Sequence, residues 1–349
     1  MAPAHSGSHG RTGWESGISR YKIDKTGTGS KRQRKADMFT GCKEWLQLEG
    51  RYGWNRIRAK YYIISRSAGG AGFFSNYMWV LGHVVLSEKL GYIPVVDMEN
   101  YKTLYSEGEP VNGTDNAWNY YFENVGDCTL AQAYGSGKYV MGQDRPLHRY
   151  ERKYCIGEYR FPTPEAVCYY APIIRRRLRI RKELEAEFAQ AWKAKAGEKN
   201  TVLGIHVRGT DMKNNLGHPM PADAGEYIKR AKDLLQKNPE ITKIFLATDE
   251  NDVRAAFEKA FAGTETELFC NEAFRVWDDG AAKRTGVHEL AVEHPRPLHK
   301  YLMGKEVLQD AWFLHKCDYL LCGHSNISNV AILWNDNQYR EIQCVEGKA

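Results

Sequence analysis

The sequence predicts an α/β protein of two Rossmann-like halves, on three observations. A βαβ unit opened by a glycine loop occupies residues 61–97, and strand and helix signals alternate cleanly from residue 201 onward. Strands of the second half also stop abruptly in polar clusters. Parallel strands deliver side chains in this way to the carboxyl edge of a sheet, where open α/β sheets bind ligands. Length agrees, since 349 residues accommodate two α/β domains of ordinary size.

Residues 1–44 are rich in Gly, Ser, Thr, Lys and Arg, close on Lys31-Arg32-Gln33-Arg34-Lys35, and read as a flexible basic tail. An N-terminal α/β domain is expected over 45–170. There Tyr61–Ser65 reads as a strand, Tyr77–Leu90 as a helix stopped by Gly91, and Tyr92–Val96 as a strand ending at Asp97. The intervening Gly70-x-Gly72-x-x-Ser75 nearly matches a dinucleotide fingerprint but lacks its third glycine. A nicotinamide-dependent oxidoreductase is therefore one reading. In any reading, glycines let a backbone approach a ligand closely, and a helix N-terminus attracts negative charge. Residues 98–170 are dense in Tyr, Trp, Asn and Gly, with no clear period. A linking helix is expected over 171–190, carrying Arg175, Arg176, Arg177, Arg179 and Arg181 before it turns acidic.

The second domain is expected over 191–335. Val202–Val207 reads as a strand ending in Arg208-Gly209-Thr210-Asp211, followed by a helix at Ala224–Lys237. A strand at Lys243–Ala247 ends in Thr248-Asp249-Glu250, and a helix at Asn251–Phe261 precedes a strand near Leu268–Cys270. A helix at Gly304–His315 then feeds the strand Tyr319–Cys322, which ends in Gly323-His324-Ser325-Asn326. Residues 336–349 form a C-terminal segment free to return to the first domain.

Composition excludes several classes. With 42% hydrophobic and 26% charged residues the chain is globular rather than disordered. A net charge of +6 is too diffuse for a nucleic-acid binder and suits anionic small substrates or an anionic membrane surface. The eight cysteines form no Cys-x-x-Cys pair and read as reduced thiols. No apolar leader and no run of apolar residues long enough to span a bilayer occurs, so the expected place is the cytoplasm, with peripheral contact at the cytoplasmic membrane face as one use of the basic residues. No metal-ligand spacing, nucleophile elbow or Gly-x4-Gly-Lys phosphate loop is present. What remains is an arginine at a strand end. Arg suits bidentate pyrophosphate recognition, and a departing diphosphate needs fixed cations and N–H groups around it. Asp249 and Asp310 are acceptors suited to a nucleobase or ribose.

Four stretches together resemble the α1,2-, α1,6- and protein O-fucosyltransferase superfamily. His206-Val207-Arg208-Gly209-Thr210-Asp211 resembles its His-x-Arg signature, and Leu246-Ala247-Thr248-Asp249-Glu250 is similar to its Leu-Ala-Thr-Asp-Asp strand end. Asp310 and Asp318, followed by Cys322 to Asn326, resemble its third motif, and Gly70-Ala71-Gly72-Phe73 its N-terminal glycine loop. The order holds across residues 60–335. The resemblance implies a GT-B fold, two Rossmann-like domains facing a central cleft, and inverting, metal-independent transfer of fucose from GDP-fucose to a glycan or polysaccharide hydroxyl. It implies that Arg208 stabilises the departing β-phosphate, Asp249 holds the guanine or ribose side, Asp310 the guanine, and Ser325 and Asn326 the phosphates. His206, Asp211, Lys213, Gly70 and Gly72 complete the donor-binding set, with no metal and no cofactor beyond the donor. The chain departs from the pattern where the core α1,6 enzymes carry Lys and Glu, since Met212 and Leu216 stand there, and Lys213 comes one place late. Ala71 stands where one protein O-fucosyltransferase branch has an acid. No base transfers by position, so Asp97 and Glu99 are the candidates, and a non-catalytic sugar-nucleotide or glycan-binding protein is a further reading.

Overall fold

The computed structural model describes residues 60–67, 69–142, 161–208, 222–275 and 296–345. The tail, Asp211 and Lys213 lie outside the described residues. Two wholly parallel sheets form the framework.

The first sheet has the order β2-β1-β3, from β1 (Tyr61–Ile64), β2 (Ile93–Val96) and β3 (Tyr139–Gly142). Helix α1 (Phe73–Lys89) joins the first two strands. It buries Phe73, Phe74, Tyr77, Val80, Leu81 and Val84, so it is enclosed on more than one side. The aromatic stretch after Asp97 contributes α2 (Leu130–Gly135), closed at its start by a Thr129–Gln132 capping box.

The second sheet has the order β6-β5-β4-β7-β8. Its strands are β4 (Thr201–Val207), β5 (Ile241–Thr248), β6 (Glu267–Phe269), β7 (Tyr319–Cys322) and β8 (Glu341–Cys344). Helices α5 (Ala224–Lys237) and α6 (Asn251–Phe261) have the bounds the sequence predicts. Each buries a single stripe, Tyr227, Ala231 and Leu234 in one and Val253, Phe257 and Phe261 in the other, at helical spacing. They cover the face that receives Leu203, Ile205 and Val207. The opposite face of the sheet, with Val202, Phe245 and Leu320, packs on α7 (His299–Lys316) and α8 (Asn326–Asn335). At Gly204 a Cβ would stand 2.9 Å from Cys317 Sγ, so the strand needs glycine where α7 crosses it.

The linking helix expected over 171–190 is divided into α3 (Pro164–Arg177) and α4 (Lys182–Ala196). The break has a tertiary cause. Residues between them turn their backbone to the first domain, with Glu123 N–H donating to Arg179 O at 2.9 Å and Arg181 N–H to Tyr121 O at 2.9 Å. The arginine run is drawn into ion pairs with both halves: Arg176 and Arg177 with Glu88, Arg179 with Glu123, and Arg175 with Asp336. The C-terminal segment adds β8 to the edge of the second sheet, in parallel register with β7. The element that returns to the first domain is α8, whose Trp334 Nε1–H donates to Tyr77 Oη at 2.9 Å. One apolar core runs through both halves, from Phe73 and Tyr121 to Trp312 and Leu333.

Candidate functional site

Helices after β4 and β5 lie on one face of the second sheet, and those before and after β7 on the other. The winding therefore reverses between β4 and β7, and a crevice must open beyond their carboxyl ends. A cleft is found there. It is lined by His206 and Arg208 from the end of β4, Thr248 and Asp249 from β5, Asp310 from α7, and Tyr105 from the first domain.

His206 is enclosed, 4% exposed, and sits at the joint between β4 and α8. Ser325 is the N-cap of α8, its Oγ accepting the Ser328 N–H at 3.1 Å. His206 Nδ1 lies 2.9 Å from Ser328 Oγ and 3.3 Å from Ser325 Oγ, and Ser328 Oγ in turn lies 2.9 Å from Gly323 O. Burial, with the Arg208 charge beside it, lowers the imidazole pKa to about 3, so the ring is neutral. Arg208 follows the strand half-buried at the cleft wall. Asn326 is the first residue of α8, and Ile327 beside it lines the cleft. The first turn of that helix therefore lies at the crevice with the positive end of its dipole.

On the other side, Asp310 is 8% exposed, and burial raises its pKa to about 6. Arg275 and a 2.9 Å hydrogen bond from Asn271 Nδ2 oppose that rise, whereas Glu306 and Asp249 add to it. Arg275 is itself buried and clamps the loop with backbone carbonyls, donating to Thr248 O at 3.0 Å and Asn271 O at 2.7 Å. It ties the end of β5, and so Asp249, to the segment holding Asp310.

The first-domain candidates are placed differently. Gly72 is the N-cap of α1, and a Cβ added at Gly70 or Gly72 would meet nothing within 4 Å. The space before this loop is open, as a close ligand approach requires. Tyr105 Oη accepts the Phe73 N–H at 2.9 Å and so connects this loop to the cleft. Asp97, at the end of β2, is fully buried and accepts from the N–H of Glu99 and Asn100, from Asn100 Nδ2 and from Tyr134 Oη. Its carboxylate organises a turn. Glu99 is exposed beside it, and neither lines the cleft. Tyr105, Asn271, Arg275 and Ser328 are site residues that sequence reasoning missed. Only Ser328 carried a signal, as the partner of a Ser-x-x-Ser cap. Among the described residues, no group of three or more His, Cys, Asp or Glu is arranged to hold a metal ion.

No family model and no curated protein matches the sequence. Solved structures do. NodZ alpha-1,6-fucosyltransferase co-crystallized with GDP is 15% identical over 78% of this chain and 92% of its own, with a TM-score of 0.46. The fucosyltransferase NodZ from Bradyrhizobium gives 15%, the same coverage and a TM-score of 0.45. Arabidopsis thaliana FUT1 with GDP is 10% identical over 86% of this chain and 77% of its own, at a TM-score of 0.42.

Proposed function

We propose that this chain is an inverting, metal-independent glycosyltransferase that moves fucose from GDP-fucose to a hydroxyl of a glycan acceptor. The observation that carries the reading is the meeting of Arg208, Asp249 and Asp310 in one cleft at the reversal of the second sheet. A nucleoside diphosphate needs cations at one end and acceptors at the other, and these residues supply both. Arg208 and the N-terminal turn of α8 meet the charge that grows on the leaving diphosphate. Asp310, when ionised, accepts from the N–H edge of guanine, and Asp249 takes the ribose or base from the end of β5. His206, held neutral, brings no charge of its own to the cleft. Ser325 caps α8 with an oxygen lone pair, which leaves its O–H to meet the phosphates with Asn326, Asp211 and Lys213. Gly70 and Gly72 bring the first domain's loop to the donor, and the acceptor enters on the side of Glu99. Asp97 serves by holding that turn in shape.

Release of nucleoside diphosphate from a panel of GDP- and UDP-sugars tests the assignment. GDP-fucose is expected to turn over saturably with a glycan acceptor. Turnover of UDP-sugars with inert GDP-fucose would overturn the donor, and NADH binding in preference to GDP would overturn the class.

A further inference from the structure

Helix α7 carries Glu306 and Asp310 to the cleft, yet it begins without a cap of its own. Its N-cap residue is Leu298, in the left-handed region at φ 51° and with no side-chain oxygen to offer the first turn. The N–H of Tyr301, the third helical residue, is satisfied nevertheless. It donates to Glu107 Oε1 at 2.8 Å, a carboxylate that lies 194 residues earlier, in the first domain. A carboxylate there meets both the orphan N–H and the positive end of the helix. Tyr121 fastens the same turn by stacking on Tyr301 at 5.5 Å and donating to Tyr301 O at 3.0 Å.

Glu107 belongs to a tight turn stiffened from within. Ser106 N–H donates to Thr103 O at 3.1 Å, and Thr103 N–H to Ser106 Oγ at 3.0 Å. The same turn sends Tyr105 into the wall of the cleft, where its hydroxyl receives the first N–H of α1. Just ahead of it, Lys102 O lies 3.0 Å from where a Cβ of Gly69 would be, so the glycine loop rests on this turn as well.

We propose that the Thr103–Glu107 turn is a cross-domain positioning element of the donor cleft. Glu107 fixes α7, and through it the place of Asp310, while Tyr105 joins the cleft wall to the glycine loop. The inference rests on the nucleotide reading of the cleft. A helix is a stiff rod, so a first turn released at Tyr301 lets the acceptor at Asp310 drift out of register with Asp249. Small misplacements of this kind cost binding and rate far from the altered residue.

The test compares Glu107→Ala with Glu107→Gln, which keeps an acceptor oxygen at the same place. Amide hydrogen exchange of the unliganded protein is one readout. In Glu107→Ala the amides of α7 from Tyr301 to Asp310, and those of residues 271–275, are expected to exchange faster, with Glu107→Gln near wild type. Affinity for GDP and UDP is the other. Glu107→Ala is expected to weaken GDP about tenfold and leave UDP unchanged, and Glu107→Gln to keep the preference. A Glu107→Ala protein that only melts earlier, with α7 exchange and the GDP preference intact, overturns the proposal. If wild type binds neither nucleotide, the nucleotide reading falls, and the exchange measurement alone decides whether Glu107 positions α7.

Discussion

The carboxamide of Asn271 donates a 2.9 Å hydrogen bond to Asp310 Oδ1, and both side chains are enclosed, 1% and 8% exposed. The pair explains how a carboxylate is kept available in a place that disfavours its charge. It also sets a trade between stability and binding.

That trade gives the first prediction. Burial raises Asp310 from an ordinary 3.8 to about 6. Between those values the folded state binds more protons than the unfolded one, so stability falls as pH rises through the window. Above pH 6 the cost is fully present, on the order of 3 kcal/mol. Asp310→Asn removes it and keeps an acceptor for Asn271. The variant is expected to melt higher than wild type at pH 7.5, to match it near pH 4, and to lose GDP affinity. Wild-type GDP affinity itself is expected to fall as pH drops through 6. Equal melting of the two proteins at pH 7.5 would contradict the account.

Arg208 carries the second. One preorganised donor on a developing negative charge is typically worth at least ~10²-fold in rate. Arg208→Ala is expected to lose that much in kcat with GDP-fucose. Arg208→Lys should recover only part, because an ammonium lacks the planar fork. Near-normal turnover in Arg208→Ala removes it from the mechanism.

Much of this cleft was legible along the chain. β4, β5 and β7 are short apolar runs that end in polar residues, and α5 and α6 announce themselves by a single buried stripe each. What escaped is held by distant partners. The expected start of α7 at Gly304 falls after the true start at His299, because the cap that completes its first turn is Glu107. α8, reading Asn-Ile-Ser-Asn-Val-Ala-Ile-Leu-Trp-Asn, is buried nearly all round, its Ser328, Asn329 and Asn335 included, because it is enclosed between the two halves, which leaves no amphipathic signature. Asp97 looked catalytic by its place at a strand end, and only the geometry displays the donors that occupy it. Asn271 and Arg275 sit in a loop after β6, where no local pattern points to the roles they have.

The third prediction concerns Ser328. Its hydroxyl bridges His206 Nδ1 at 2.9 Å and Gly323 O at 2.9 Å, and Ser328 and His206 are both buried. Ser328→Ala removes the hydroxyl that links the two and leaves His206 Nδ1 with only the longer 3.3 Å contact to Ser325 Oγ, at a cost of about 1–3 kcal/mol. Because His206 stays neutral down to about pH 3, the loss is expected to be the same at pH 5.5 and pH 8. Chemical denaturation at the two pH values checks this, and a loss that vanishes at the lower pH would mean the imidazole is charged there.

The last prediction lies where the halves meet. Gly304 faces the first domain so closely that a Cβ would stand 2.2 Å from Tyr121 Oη and 2.5 Å from its Cζ. Tyr121 is fully enclosed and hydrogen-bonded to Tyr301 O, so Gly304→Ala must push α7 away from Tyr121 or displace the ring. Overpacking of this kind costs roughly 1–3 kcal/mol. The cost belongs to the pair and not to glycine's helix propensity, which would favour alanine. In a Tyr121→Ala background the added Gly304→Ala is therefore expected to cost nothing or to stabilise slightly. A double-mutant cycle on melting temperature measures the coupling. Additive losses would show that α7 does not bear on Tyr121 in solution, and the first domain would then have no hold on the helix that carries Asp310.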